Sequence, residues 1–197
     1  EVLIIEMGMR GFGEIALLSK YSEPDIGIIA NIGTAHIGRL GSRENIACAK
    51  CEIIKYLKDG GTLIAHRDDL IKRTLASRCD DGKNRLSFTK NPACCVTQDS
   101  LKIPQWYRSD KFEKIYFSLN DVKILERKVG YTKFIYKDEE FELNIEGDYN
   151  VQNSLAAIEM GLKLGMSFDE IKEGLKKYAP IEKRWEMEKI KGLNVIN

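Results

Sequence analysis

Short apolar runs alternate with helical stretches along this chain. Residues 2–5, Val-Leu-Ile-Ile, form a continuous apolar run, as expected of a strand covered on both faces in a parallel sheet. Residues 14–21 carry Ile15, Leu17 and Leu18 and predict a helix, ended by the Ser-Glu-Pro-Asp turn around Pro24. A second apolar run, 26–30, predicts a buried strand. Ser42 then serves as N-cap of a helix over 43–57, with Ile46, Ala49, Ile53 and Leu57 recurring at helical spacing. Asp59-Gly60-Gly61 stops that helix, residues 62–65 form the next strand, and Leu70, Ile71 and Leu75 begin another helix. Asp68 and Asp69 read as a capping pair for it.

From Leu86 the texture changes. Residues 93–97, 114–119, 122–126, 132–136 and 140–145 alternate polar with β-branched and aromatic side chains, which predicts a small antiparallel sheet with one solvated face over about residues 86–146. Helical pattern returns at Gly147. Ser167-Phe-Asp-Glu170 is a capping box that opens a helix with Ile171, Leu175 and Tyr178 inward, ended by Pro180; residues 193–197 read as a buried strand. The fold class is α/β, with a mostly parallel central sheet flanked by helices and a small antiparallel side sheet.

Charge and cysteine usage remove several function classes. The 31 basic and 30 acidic side chains nearly cancel, so no global field recruits nucleic acid or an anionic membrane. Five cysteines, at 48, 51, 79, 94 and 95, make no disulfide framework in a chain of 197 residues, and reduced thiols in cytoplasm are the expectation. Cys48 and Cys51 form a C-x-x-C without a second pair at zinc spacing. No apolar run is long enough to span a bilayer, and no signal-type N-terminus is present.

In open α/β sheets, ligands sit in the crevice at the carboxyl ends of the strands. Asn31, Gly33, Thr34 and His36 fall there, after the run 26–30. His36 is either a hydrogen-bonded loop residue or a ligand. Lys50 lies one turn after Ile46 and one turn before Ile54, on or beside a buried stripe. Either its stem packs on the core while its head reaches water, or desolvation leaves the amine nucleophilic. Glu6 closes the first apolar run as an ion-pair partner or a cation ligand. Gly8, Gly11 and Gly13 make a spaced glycine loop, not a phosphate cradle, and no G-x-x-x-x-G-K-[ST] occurs anywhere. Asn150 and Asn153 can cap a helix and still present amides to a ligand. Arg184 is a surface charge or a fork for phosphate or ribose oxygens.

The strings Glu6-Met-Gly-Met-Arg-Gly-Phe-Gly-Glu-Ile15, Asn31-Ile-Gly-Thr-Ala-His36, Leu40-Gly-Ser-Arg43 and Ala49-Lys50-Cys-Glu-Ile53 resemble the central domain of the Mur ligases. Among these the resemblance is strongest to members that join D-alanyl-D-alanine to UDP-N-acetylmuramoyl-tripeptide through an acyl phosphate, in cytoplasmic peptidoglycan precursor synthesis. It implies ATP and Mg2+ as cofactors, with Glu6, His36 and a carbamylated Lys50 as catalytic and metal-binding residues. Asn150, Asn153, Arg184 and Asn31 form the nucleotide-binding set, with Tyr149 replacing the commoner histidine. The resemblance implies that residues 1–197 are one central domain, like a P-loop NTPase without its phosphate loop. The UDP-binding domain with that loop and the C-terminal domain would lie outside it. The chain alone is then expected to be inactive, monomeric and cytoplasmic, with no nucleic acid or membrane partner. Other Mur-type ligases (diaminopimelate- or lysine-adding enzymes, cyanophycin synthetase, folylpolyglutamate synthetase) share the His and Lys positions but not the Glu-Met-Gly-Met-Arg-Gly-x-Gly-Glu-Ile string. A non-catalytic nucleotide-binding module is the alternative of a different class. A metallohydrolase is poorly supplied by two histidines.

Overall fold

A computed structural model describes residues 1–68, 71, 111–178, 187–190 and 193–196. The chain divides into two compact units, Glu1–Phe117 and Ser118–Asn197. In the first, α1 (Glu14–Ser22) precedes β1 (Ile26–Ile29). A loop then leads to a one-turn α2 (Ile37–Leu40), α3 (Arg43–Lys50) and a 3-10 segment, Cys51–Tyr56. β2 (Thr62–His66) and β3 (Glu113–Phe117) complete a three-stranded sheet of order β1-β2-β3. Both pairings are parallel, with Ile28 opposite Ile64 and Ile64 opposite Ile115.

Local chemistry explains these boundaries. Ser42 Oγ accepts from the Asn45 amide at 3.1 Å and fixes the start of α3. Ile46, Ala47, Ala49 and Ile54 face Ile29, Leu63 and Ala65 in one buried cluster, so the helical stripe and the sheet bury each other's apolar surface. Ser19 Oγ donates to the Ile53 carbonyl at 2.7 Å, which ties α1 to the 3-10 segment. Gly61 enters β2 where an added Cβ would lie 2.8 Å from the Asp25 and Lys58 carbonyls, so the tight turn there tolerates no side chain.

Three expectations change. Residues 2–5 form no strand: Leu3 and Ile4 are 83% and 81% exposed. A run this apolar needs a neighbouring strand and covered faces to become a ladder, and it pairs with no strand among the described residues. Of residues 114–119, assigned to the antiparallel sheet, 114–117 instead lie in β3 of the parallel one, and Leu119 begins a 3-10 turn. A half-exposed strand alternates whichever direction its neighbour runs, so the pattern did not carry that distinction. The helix over 43–57 tightens at Cys51 into 3-10 geometry. The strand at 93–97 and Pro180 lie outside the described residues, as does the helix from Leu70 except for Ile71, which is helical and buried.

In the second unit, β4 (Lys123–Lys128), β5 (Tyr131–Tyr136) and β6 (Glu139–Leu143) form the antiparallel sheet. Lys137 and Asp138 both have positive φ, 53° and 62°, as a two-residue hairpin between β5 and β6 demands. α4 (Asp148–Lys163) follows Gly147, and α5 (Phe168–Lys176) opens with the full Ser167/Glu170 capping box. Phe134 stacks on Phe141 at 5.7 Å, and Phe141 meets Phe168 edge-on at 6.2 Å, so the aromatic core joins sheet to helix. β7 (Met187–Ile190) and β8 (Leu193–Ile196) pair antiparallel.

Two glycines in this unit separate packing from helix propensity. A Cβ on Gly161 would sit 2.8 Å from Ile171 Cγ1, whereas one on Gly174 meets nothing within 4 Å. Gly161→Ala should destabilise by about 1–3 kcal/mol through overpacking. Gly174→Ala should stabilise by roughly 0.5–1 kcal/mol through propensity. Urea unfolding of both variants checks the opposite signs; equal effects would contradict the α4–α5 packing.

Candidate functional site

The carboxyl edge of the parallel sheet collects the polar residues of the first unit. β1 ends at Ile29, and Ile32 is buried at 3% exposure while Gly33 to Arg39 lie on the surface. Lys50, the last residue of α3, returns to this edge: its Nζ donates to the Asn31 carbonyl at 2.7 Å. Burial pushes the Lys50 ammonium below its ordinary value of 10.5, which favours the neutral amine. Lys50 is thus half-buried at the strand end, with its head on a backbone carbonyl.

His36 occupies the same loop, exposed, with φ 65° and ψ 13° in the left-handed region. A non-glycine residue there costs free energy and persists only when its surroundings fix it. The Ile37 amide donates to the Thr34 carbonyl at 3.1 Å, and the Arg39 and Leu40 amides donate to the His36 carbonyl at 3.0 Å, so the turn is held on both sides. Glu6 lies on the exposed N-terminal stretch outside any element. Among the described residues, it makes no hydrogen bond or ion pair, and no group of three or more His, Cys, Asp and Glu side chains is placed to hold a metal ion. Asn31 and Lys50 are thus in contact, His36 lies in the same loop as Asn31, and among the described residues Glu6 is joined to them by no hydrogen bond or ion pair.

Two residues that sequence reasoning passed over organise this edge. Glu52 is buried at 5% exposure, and its carboxylate accepts from the Gly13 amide at 2.8 and 2.9 Å and from the Ala16 amide at 3.3 Å. It therefore satisfies the first turn of α1 and anchors the glycine loop that follows Glu6. A carboxylate between Cys51 and Ile53 on an apolar stripe was the available signal. Arg43 Nη2 donates to the Ile32 carbonyl at 2.9 Å and to Asp68 Oδ2 at 3.2 Å. A cation in the first turn of a helix opposes the macrodipole, and that misfit was its signal. Asp68 pairs with Arg43, and apart from Ile71 the helix it is expected to cap lies outside the described residues. His66, at the end of β2, packs edge-on to Phe117 at 5.8 Å, and its Nδ1 is buried without a hydrogen-bond partner among the described residues. Burial lowers its pKa, and the Asp68 charge opposes that shift.

In the second unit, a cavity of about 520 Å³ is lined by Asn150, Asn153, Ser154, Ala157, Glu170 and Tyr178 together with apolar side chains of β6, α4 and α5. Both predicted asparagines face it. The capping alternative for Asn150 takes a different form: Gly147 is the N-cap, and Asn150 Nδ2 donates back to the Glu146 carbonyl at 2.7 Å. That uses one of its two N–H donors. Tyr149 is 64% exposed in the first turn of α4. Behind the cavity wall, Tyr136 Oη and Lys137 Nζ hold the buried Glu159 carboxylate, at 2.5 Å and 2.9 Å. Arg184 lies outside the described residues.

The Lys50 shift has a defined sign. The unfolded chain binds more protons than the folded one between the lowered folded pKa and 10.5, so stability contributed at this site rises with pH across that window. Denaturant unfolding over a pH series should show the wild type gaining on Lys50→Met as pH approaches 10.5. A difference that stays flat would contradict the desolvated amine.

Residues 1–161 match the family model described as the Mur ligase middle domain. The UDP-N-acetylmuramoyl-tripeptide–D-alanyl-D-alanine ligase of Bacillus subtilis (strain 168) is 34% identical over 100% of this chain and 37% of its own length. The chain thus spans just over a third of that relative. Among solved structures, MurF from Acinetobacter baumannii superposes with TM-score 0.68 at 22% identity, covering 96% of this chain and 37% of that one. MurF from Thermotoga maritima in complex with ADP gives 0.66 at 22%, covering 97% and 39%. These two carry the likeness of fold alone. By the match of its residues 1–161, the chain belongs to the Mur ligase middle domain family.

Proposed function

We propose that this chain is the nucleotide-binding central part of a UDP-N-acetylmuramoyl-tripeptide–D-alanyl-D-alanine ligase, an ATP-dependent enzyme of cytoplasmic peptidoglycan precursor synthesis. The reaction transfers the γ-phosphoryl of ATP to the tripeptide carboxylate. The amine of D-alanyl-D-alanine then attacks the acyl phosphate and releases phosphate. The observation that carries the reading is the Lys50 amine, half-buried and bound to the Asn31 carbonyl at the carboxyl edge of β1. Identity of 34% to a relative of that name, along the whole chain, supports the substrate assignment. Nucleotide binding draws support from the neighbour whose structure contains ADP.

Phosphoryl transfer of this type is mostly positioning and charge neutralisation. Magnesium, when bound, would neutralise phosphate charge and draw the γ-phosphate toward the acceptor carboxylate. Hard cations take oxygen donors, and an ammonium supplies none. We assign Glu6, His36 and Lys50 as the residues that would hold such an ion, which requires that Lys50 carry oxygens. A neutral amine provides them by adding carbon dioxide: an N–C bond forms, a proton leaves, and an anionic carbamate results. Its remaining N–H can still donate to the Asn31 carbonyl, so the contact seen for the amine survives the change of charge. Glu6 and His36 complete the shell. Asn150, Asn153, Arg184 and Asn31 are the residues assigned to nucleotide binding. Among the described residues no helix is long and apolar enough to cross a membrane.

The test uses the intact protein that contains this chain. Phosphate release should require ATP, the UDP-linked tripeptide and D-alanyl-D-alanine together. Lys50→Arg keeps a cation but forms no carbamate and should lower kcat by about 10²–10³-fold, the scale of losing one charge-stabilising group. Carbon-13 bicarbonate should give a carbamate resonance in the wild type that Lys50→Arg lacks. Wild-type turnover by Lys50→Arg would sink the proposal.

A further inference from the structure

Arg43 and Lys50 stand at the two ends of α3, and both reach back to the same loop, onto the consecutive carbonyls of Ile32 and Asn31. We propose that Arg43 is a positioning residue: it clamps the loop bearing Asn31 and His36 to the end of β2, bridging the Ile32 carbonyl and the Asp68 carboxylate.

Three observations converge on this. The guanidinium stands in the first turn of a helix, where the macrodipole disfavours a cation. Its donors compensate by meeting one carbonyl outside the sheet ladder at 2.9 Å and one carboxylate at 3.2 Å. An exposed ion pair alone would contribute little, and the Arg43 side chain is 46% exposed, so the half-buried bond to Ile32 carries the greater share. The loop so held contains the left-handed His36, which relaxes unless its neighbours fix it. The function proposed above has Lys50 exchange ammonium for an anion, whereas Arg43 makes its contacts with a different carbonyl and with Asp68. The Arg43 contacts would hold the loop through that exchange. The clamp itself is independent of that function; only its catalytic consequence rests on it.

Amide hydrogen exchange on the full chain tests the clamp without substrates. The reporters are the amides of Ile37, Leu40 and Gly41, which donate within the loop and α2. In Arg43→Met, which keeps the stem and loses the donors, their protection should fall roughly tenfold, as expected for losing hydrogen bonds to a charged group. Protection in β2 should stay within about twofold, since the sheet ladder is untouched. Arg43→Lys, which keeps a multiply donating cation on a shorter side chain, should recover part of the protection. Unchanged protection in Arg43→Met, or an equal fall in β2, would overturn the clamp. In the intact enzyme, Arg43→Met should lower kcat about tenfold while KM for D-alanyl-D-alanine holds, because Arg43 acts through the loop and touches no substrate. A raised KM at constant kcat would overturn the catalytic consequence. A wild type that does not ligate would refute the proposed function and leave the exchange result to decide the clamp.

Discussion

A lysine on the buried stripe of a helix needs an acceptor within reach of its stem, and a parallel sheet supplies one only where its strands end. Within the ladder, carbonyls are paired; just past it, they are available. Lys50 meets this constraint at Asn31, two residues beyond β1. The contact satisfies a carbonyl that would otherwise cost about 1–3 kcal/mol if buried unpaired. Glu52, two residues on, points its carboxylate at the amides of Gly13 and Ala16. One short segment of chain therefore fixes the loop after β1, the glycine loop after Glu6 and the start of α1.

The second unit follows a different logic. Its sheet is antiparallel, its hairpin turn is set by two positive-φ residues, and its aromatic core joins β5 and β6 to α5. The buried Glu159 is held by Tyr136 and Lys137, so a charge inside α4 is fully engaged rather than poised for chemistry. A cavity faced by Asn150 and Asn153 combines apolar walls with amides that can orient a ligand.

Much of this was legible in the residues. Local signals of one or two turns were read correctly: Ser42 as a cap, the Ser167 capping box, the glycine stop before β2, and Lys50 as a cation in the wrong place for a solvated face. Features that depend on a neighbour were not. Residues 2–5 have the composition of a buried strand, but pairing is a property of two segments. The alternation of β3 looks the same beside a parallel or an antiparallel partner. The turn from α to 3-10 at Cys51 leaves the three- and four-residue spacing of apolar positions intact, so periodicity missed it. Arg43 and Glu52 escaped because motif reading rewards matching strings, whereas their signal was misfit: a cation at a helix start and an anion in an apolar stripe.

The central claim is spatial: one cation is to be held jointly by Glu6, His36 and Lys50, of which Lys50 and the His36 loop are already in register through Asn31. The most direct measurement is anomalous diffraction from crystals of the intact protein grown with ATP and manganese standing in for magnesium. The account predicts a peak at about 2.1 Å from an oxygen of Glu6 and an oxygen carried on Lys50 Nζ, with the His36 imidazole in the same shell. A nucleotide-associated ion whose shell excludes both Lys50 and Glu6 would contradict it.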